Sequence, residues 1–218
     1  VKEVFRKHLD DAMELGKLVD QYLVPQALEK KMHSEVSSPY ALRQGMLDKI
    51  PAEFWTVRRR VLEPCAGKGG FLVDIVARFM HGLRHEIPDE SERRRVIVEE
   101  CLFWADINAT NVFVCRLLLD PHSQYKLNGY RGDTMELDVM SEWTVDGFDA
   151  VIGNPPFENN TNDKRMALNH NLWSVFLQWA YAHISEEGFL LFITPTSWMS
   201  PTSKTKDIFY NNHVLYLN

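Results

Sequence analysis

The sequence predicts an α/β fold: a doubly wound parallel sheet with helices on both faces, preceded by an N-terminal helical segment. Three observations carry this. Short apolar runs alternate with longer amphipathic stretches from about residue 58 onward. The runs "CLFWADI", "FDAVIG" and "FLLFIT" are almost continuously hydrophobic, as strands buried on both faces require. The first run ends in a glycine-rich turn that opens a helix, "LEPCAGKGGF" at 62–71.

The elements follow in order. Residues 1–35 carry apolar positions at helical spacing, with Pro25 as a break or kink. Ser37-Ser38-Pro39 starts a second helix that Pro51 ends, and a boundary falls near residue 57. "RVLEP" (60–64) is a strand and "GFLVDIVARFMHG" the helix after it. "IPDESERRRVIVEE" is charged and helical; "CLFWADI" is the next strand and "NATNVFVCRLLLD" the next helix. Strands are expected near 126–131 and at 148–153. "NLWSVFLQWAYAHIS" is an amphipathic helix, "FLLFIT" a strand, and "VLYLN" the start of another.

Composition bounds the function. With 218 residues, 45% hydrophobic and 25% charged, the chain has ample material for one large core. A formal net charge of -6 repels nucleic acid globally, so a DNA contact needs a local patch or a partner. Cys65, Cys101 and Cys115 stand at no metal-like spacing and suit reduced thiols in a cytosol-like compartment. No signal peptide opens the sequence, and the longest apolar runs are too short for a bilayer. His81 and His85 stand four residues apart without a third ligand, so no metal site is expected. The arginine triplets at 58–60 and 93–95 are expected on solvated faces. Cys65 is expected as a small packed side chain, since no base accompanies it.

Chemistry gathers at the strand ends. Gly67, Gly69 and Gly70 let backbone approach a ligand at a helix N-terminus. The pattern is neither G-x-G-x-x-G nor a phosphate loop, and Glu63 at the strand tip repels anions. It suits a cation, such as an ammonium or a sulfonium. Asp106 ends the second strand, where a ribose diol is gripped; capping the following helix is its other use, for which Asn108 is equally suited. Asp133 follows the third strand and suits an adenine amine or a turn cap. Three acids at three successive strand tips point to one rim.

"DAVIGNPPF" (149–157) ends the fourth strand. The exocyclic amine of a nucleobase is a poor nucleophile because its lone pair is delocalised. Two acceptors on its two N–H groups draw the nitrogen towards tetrahedral geometry and stabilise the positive charge of attack. The Asn154 side-chain oxygen and the Pro155 carbonyl are the candidate acceptors, and Pro156 restricts Pro155 so that its carbonyl is fixed. Phe157 offers a face on which a base stacks, worth about 1–3 kcal/mol.

Together, "LEPCAGKGGF", "ADIN", "GD" at 132–133 and "DAVIGNPPF" resemble the N6-adenine DNA methyltransferases that use S-adenosylmethionine (AdoMet), in the group whose cofactor motifs precede NPP[YF]. "SSPYALRQGML" (37–47) resembles that group's N-terminal motif, and 171–199 resembles the helix, strand and P-x-S-W segment after its catalytic strand. The resemblance covers about 36–218. It implies a Rossmann-like AdoMet methyltransferase sheet. It implies that Pro39, Glu63, Pro64, Ala66, Gly67, Gly69, Phe71, Asp106, Ile107, Asp133, Thr134 and Asn154 surround the cofactor, and that Asn154, Pro155, Pro156 and Phe157 hold the target adenine. Asp106 would hold the ribose hydroxyls and Asp133 the cofactor's adenine amine.

Such enzymes flip the target base, and a separate domain reads the sequence. Neither that domain nor the family's following hairpin is visible. The expected division is therefore an N-terminal helical segment, 1–57, and a C-terminally incomplete catalytic domain, 58–218. DNA would be met through a recognition domain or subunit outside this chain, with no membrane and no metal, in a bacterial, phage or viral host cytosol. The chain alone is expected to bind AdoMet and to methylate weakly or not at all. Other readings are methylation of a guanine amine in RNA or a glutamine amide in protein, or a non-catalytic cofactor- or DNA-binding module. "ENNTNDKRM" (158–166) is expected as a mobile loop over the site, "NNT" (159–161) matches a glycosylation acceptor without any sign of secretion, and Trp198 is expected to line the DNA-side cleft.

Overall fold

A computed structural model of the chain describes residues 7–8, 11–23, 37–157, 172–200 and 202–217. Strands β1 (Val61–Glu63), β2 (Leu102–Asp106), β3 (Asn128–Arg131), β4 (Phe148–Gly153) and β5 (Ile184–Phe192) form one parallel sheet in the order β3-β2-β1-β4-β5. Leu62 stands between Phe103 on one side and Val151 on the other. The chain builds outward from β1 in one direction and then crosses to its other side. The carboxyl ends of β1 and β4 therefore flank the switch point, where open α/β sheets bind ligands.

Side chains alternate between the faces with period two. Val61, Leu102, Trp104, Ala150 and Ile152 enter one core, and Leu62, Phe103, Ala105 and Val151 enter the other. The first core is covered by α2 (Tyr40–Leu47), α3 (Gly70–Gly82), α4 (Glu90–Val96) and α5 (Ala109–Leu119), through Leu47, Phe71, Leu72, Ile75, Phe79, Val96, Val112 and Cys115. The second is covered by α6 (Val139–Trp143) and α7 (Leu172–His183), through Val139 and Ala180. A third apolar cluster packs Leu15, Leu18 and Val19 of α1 (Ala12–Tyr22) on Val73 of α3 and Leu118 of α5. Each fully buried Leu, Ile, Val or Phe contributes about 1.5–3 kcal/mol.

Helix starts follow capping chemistry. Asp11, Asp89, Asn108 and Asp138 each accept a backbone N–H from the first turn of α1, α4, α5 and α6. Phe54 and Trp55, in a 3-10 turn before β1, meet Phe79 of α3; the Trp55 and Phe79 rings stand edge to face, 5.0 Å apart. Residues on both sides of position 57 thus share one core.

The helical stretch expected at 87–100 is α4 continued by a π-helical turn, Ile97–Cys101, that leads directly into β2, and a short α6, too brief to show a period in the sequence, precedes β4. Three local expectations are corrected. β5 begins at Ile184, straight after α7, because a bulge absorbs the residues before Phe189: two positions along β4 are matched by five along β5 between the pairs Phe148↔Ile184 and Ala150↔Phe189. Residues 214–217 form no strand; with no sheet partner among the described residues, Val214, Leu215, Tyr216 and Leu217 remain exposed. Arg93 is buried rather than solvated, its guanidinium donating to the Ile87 and Pro88 carbonyls. Trp198 stacks on Phe209 with ring centroids 4.4 Å apart. The stretch 158–166, and most of 1–35, lie outside the described residues.

Candidate active site at the switch point

The β1 turn is shaped by two left-handed residues, Gly67 (φ 53°) and Gly69 (φ 80°), which the lack of a Cβ permits. Gly69 caps α3. The turn is tied to β2 twice: the Ala66 N–H donates to the Ala105 carbonyl (2.9 Å) and the Gly67 N–H to Asp106 Oδ2 (2.8 Å). Asp106 also receives the Asn108 N–H on Oδ1 (2.7 Å) and the Asn111 side-chain amide on both oxygens (3.3 and 3.4 Å). Asn108, not Asp106, caps α5. The β3 end joins through Thr134, whose hydroxyl donates to the Pro64 carbonyl (2.6 Å). Asp133 accepts the Met135 N–H and caps the 3-10 turn Thr134–Glu136.

The β4 tip lies alongside. Cys65 is half-buried against Gly153, where an added Cβ would stand 3.3 Å from its sulfur, and it receives the Asn154 backbone N–H. The Asn154 side-chain nitrogen donates to Ser38 Oγ (3.2 Å), bringing in the segment before α2. Pro155 is buried, Pro156 half-buried and Phe157 exposed. Pro39 is exposed at the N-terminus of α2, and Ile107 is 59% exposed beside Asp106.

The structure therefore brings Ser38, Pro64, Cys65, Ala66, Gly67, Asp106, Thr134 and Asn154 onto one connected rim. Phe71 is not part of this hydrogen-bonded rim; its ring is buried in the core on the sheet side of α3, in the same cluster as Ala66. Sequence reasoning missed Ser38, Asn111 and the buried network behind them. Arg43 donates to Asp74 and Asp20, both at 2.6 Å, and to the carbonyls of Ser38 and Gly16. A signal existed: Asp74 is the one acid in the apolar stretch "GFLVDIVARF", and buried charge needs a partner.

Electrostatics distinguishes Glu63 from the other acids. It is 2% exposed, and its Oε2 is buried without a hydrogen-bond partner among the described residues. Burial pushes its carboxyl well up; Arg43 opposes this, while Asp106 and Asp74 add to it. Burial, Glu63 and Asp106 together push the Cys65 thiol up, against the Asn154 N–H, so it is no ready nucleophile. No group of ligating residues that could hold a metal ion occurs among the described residues, and no helix among them is long and apolar enough to cross a membrane.

A parallel sheet in this order, with a glycine turn and acidic strand tips at the switch point, defines the Rossmann-like class of proteins that bind nucleoside cofactors, AdoMet-dependent methyltransferases among them. The donor set fits that cofactor: an unsatisfied buried carboxylate for a cationic end, and an exposed apolar residue, Ile107, beyond the acid of β2. The chain belongs to the Eco57I restriction-modification methylase family, whose model matches residues 100–217. Among solved structures it is similar to a modification subunit of a putative type I restriction enzyme from Vibrio vulnificus YJ016 (TM-score 0.58, 17% identity, 88% of this chain and 41% of that one). It is similar also to the DrdV–DNA complex (0.59, 14%, 87% and 23%) and to a putative class I AdoMet-dependent methyltransferase from Listeria monocytogenes (0.56, 14%, 97% and 59%). The chain spans less than two thirds of each of these proteins. No curated protein matches it significantly.

Proposed function

We propose that this chain is the catalytic part of a restriction-modification methyltransferase that methylates the N6 amine of an adenine flipped out of DNA. One observation carries the reading: the Asn-Pro-Pro-Phe turn of β4 lies directly beside the glycine turn of β1, through the Cys65–Gly153 contact and the Asn154 N–H. Similarity to the modification subunit and to the DrdV–DNA complex supports a DNA substrate and a recognition part outside residues 1–218. The division into a helical segment, 1–57, and a catalytic domain, 58–218, belongs to the same reading, as does a place in the cytosol, where such an enzyme meets its DNA.

Bound AdoMet supplies an electrophilic methyl group on a sulfonium. Glu63 would face its cationic end, with Pro64, Ala66, Gly67 and Gly69 as the wall beside it and Pro39 capping from outside. Asp106 would take the ribose hydroxyls and Ile107 would pack on the adenine ring, with Asp133 and Thr134 at its amine. Phe71 acts from below, by fixing the start of α3. Asn154 Oδ1 and the Pro155 carbonyl accept the two N–H groups of the target amine. They turn its lone pair outward and stabilise the charge that grows on nitrogen as the new N–C bond forms, until one N–H proton is released to solvent. Phe157, 39% exposed, stacks on the base. Orientation supplies most of the acceleration.

The test is methyl transfer from labelled AdoMet by the full-length protein to duplex DNA, ribosomal RNA and a glutamine peptide. N6-methyladenine in DNA alone is expected. Label in guanine or glutamine, or transfer that persists in Asn154→Ala, overturns the reading.

A further inference from the structure

We infer that Ser38 is a positioning residue for Asn154, and that the N-terminal helical segment completes the active site through it. The inference rests on the role proposed for Asn154. A carboxamide has two nearly isosteric orientations, related by a half-turn about its last bond. One presents oxygen to the incoming amine and accepts its N–H; the other presents NH2, and donor meets donor. Catalysis by this residue therefore depends on what holds its other edge. In the structure that edge is held by Ser38: Asn154 Nδ2 donates to Ser38 Oγ at 3.2 Å, across 116 positions of sequence. This turns Oδ1 to the opposite side.

Ser38 is itself fixed more firmly than a loop serine needs to be. It is 8% exposed. It precedes Pro39 (φ -58°, ψ 148°), which confines it to extended backbone. Its carbonyl accepts from Arg43 Nη1, and that guanidinium is gripped by Asp20 of α1 and Asp74 of α3. Asp20 also accepts the Tyr40 N–H, two residues from Ser38. The sequence Asp20, Arg43, Ser38, Asn154 is thus a continuous path of hydrogen bonds from a helix outside the sheet to the β4 tip. The hydroxyl adds nothing to the apolar core, so its placement finds its use in orienting the amide.

The test uses three replacements: Ser38→Ala, Ser38→Thr and Ser38→Cys. The first readout is the Asn154 side-chain amide in the 15N-labelled chain, its signal identified by loss in Asn154→Asp. Its exchange with solvent is expected to speed at least tenfold in Ser38→Ala and Ser38→Cys and to stay within threefold of wild type in Ser38→Thr. The second is methyl transfer to duplex DNA by the full-length protein. Here kcat falls at least tenfold in Ser38→Ala with the AdoMet KM within twofold, and Ser38→Thr restores it. Should Ser38→Ala fail to fold, Ser38→Cys carries both readouts. An unchanged Asn154 amide in Ser38→Ala or Ser38→Cys overturns the inference, as does an unchanged kcat. A wild-type protein that methylates no DNA sinks the proposed function instead, and the amide signal still decides the role of Ser38.

Discussion

Arg43 Nε and Asp74 Oδ2 stand 2.6 Å apart with both side chains shut off from water, 2% and 1% exposed. A buried pair of this kind is costly to break and contributes little net stability when intact. Arg43→Met alone is expected to destabilise the chain by about 3–5 kcal/mol in urea unfolding. The double change Arg43→Met with Asp74→Leu is expected to recover most of that loss.

The same burial sets a pH dependence. Desolvation pushes the Asp74 carboxyl up to about 6 although Arg43 opposes it, and Glu63 moves in the same direction. A carboxyl whose folded pKa is raised binds more protons folded than unfolded. Its stabilising contribution is complete below the ordinary carboxylate range and is lost as pH rises through about 6. Urea midpoints should therefore be higher at pH 5 than at pH 7.5, by about 1–3 kcal/mol in stability. Asp74→Asn should flatten that difference.

On the proposed reading, Glu63 would couple cofactor binding to a proton. A cation set beside it favours its ionised form, so AdoMet binding should release up to one proton, and affinity should fall as pH drops. Titration calorimetry in buffers of different ionisation enthalpy measures the release. Glu63→Gln should abolish it and weaken binding roughly 10–100-fold, about 1.4–2.7 kcal/mol.

Gly69 is held at φ 80°, and a Cβ there would meet Cys115 Sγ at 3.2 Å and Leu118 Cδ1 at 3.3 Å. Gly69→Ala is expected to cost about 1–2 kcal/mol from backbone strain. It should also lower AdoMet affinity, because the turn that starts α3 would move. Thermal unfolding with and without AdoMet separates the two effects.

Asn154→Ala should leave AdoMet affinity within about threefold while methyl transfer falls about 10²–10³-fold, the usual cost of removing one preorganised partner of a developing charge. Equal losses in binding and transfer would show a structural role instead.

What was legible in the sequence was the sheet and its rim. Continuous apolar runs predicted β2 and β4, and "CAGKGG" and "NPPF" marked the two turns of the switch point. The exposed RRR at 58–60 precedes β1, at the rim opposite the site, where Arg59 and Arg60 pair with Asp149 and Asp146. In the RRR at 93–95 the sequence does not show that Arg93 is buried, because that depends on carbonyls at a loop whose path periodicity does not encode. Ser38 and Arg43 were missed for a related reason. Beyond each other, their partners lie 23 to 116 positions away, and a polar residue beside a proline looks like an ordinary helix start. The motif marks Phe71 as part of the cofactor turn, and only the helix phase shows that its ring packs in the core beneath α3.

The bulge at the start of β5 lies at the far end of the sheet from Asn154, with Glu187 at φ 62° on its crest. Pairing resumes at Phe189, so everything from there to Gly153↔Phe192 is insulated from the length of the segment before it. This corner is a natural slack point. An epitope tag or a dye-bearing cysteine spliced at 186–187 would ride on the molecule without shifting the alignment that delivers the β4 tip, and evolution has the same freedom to lengthen or trim it.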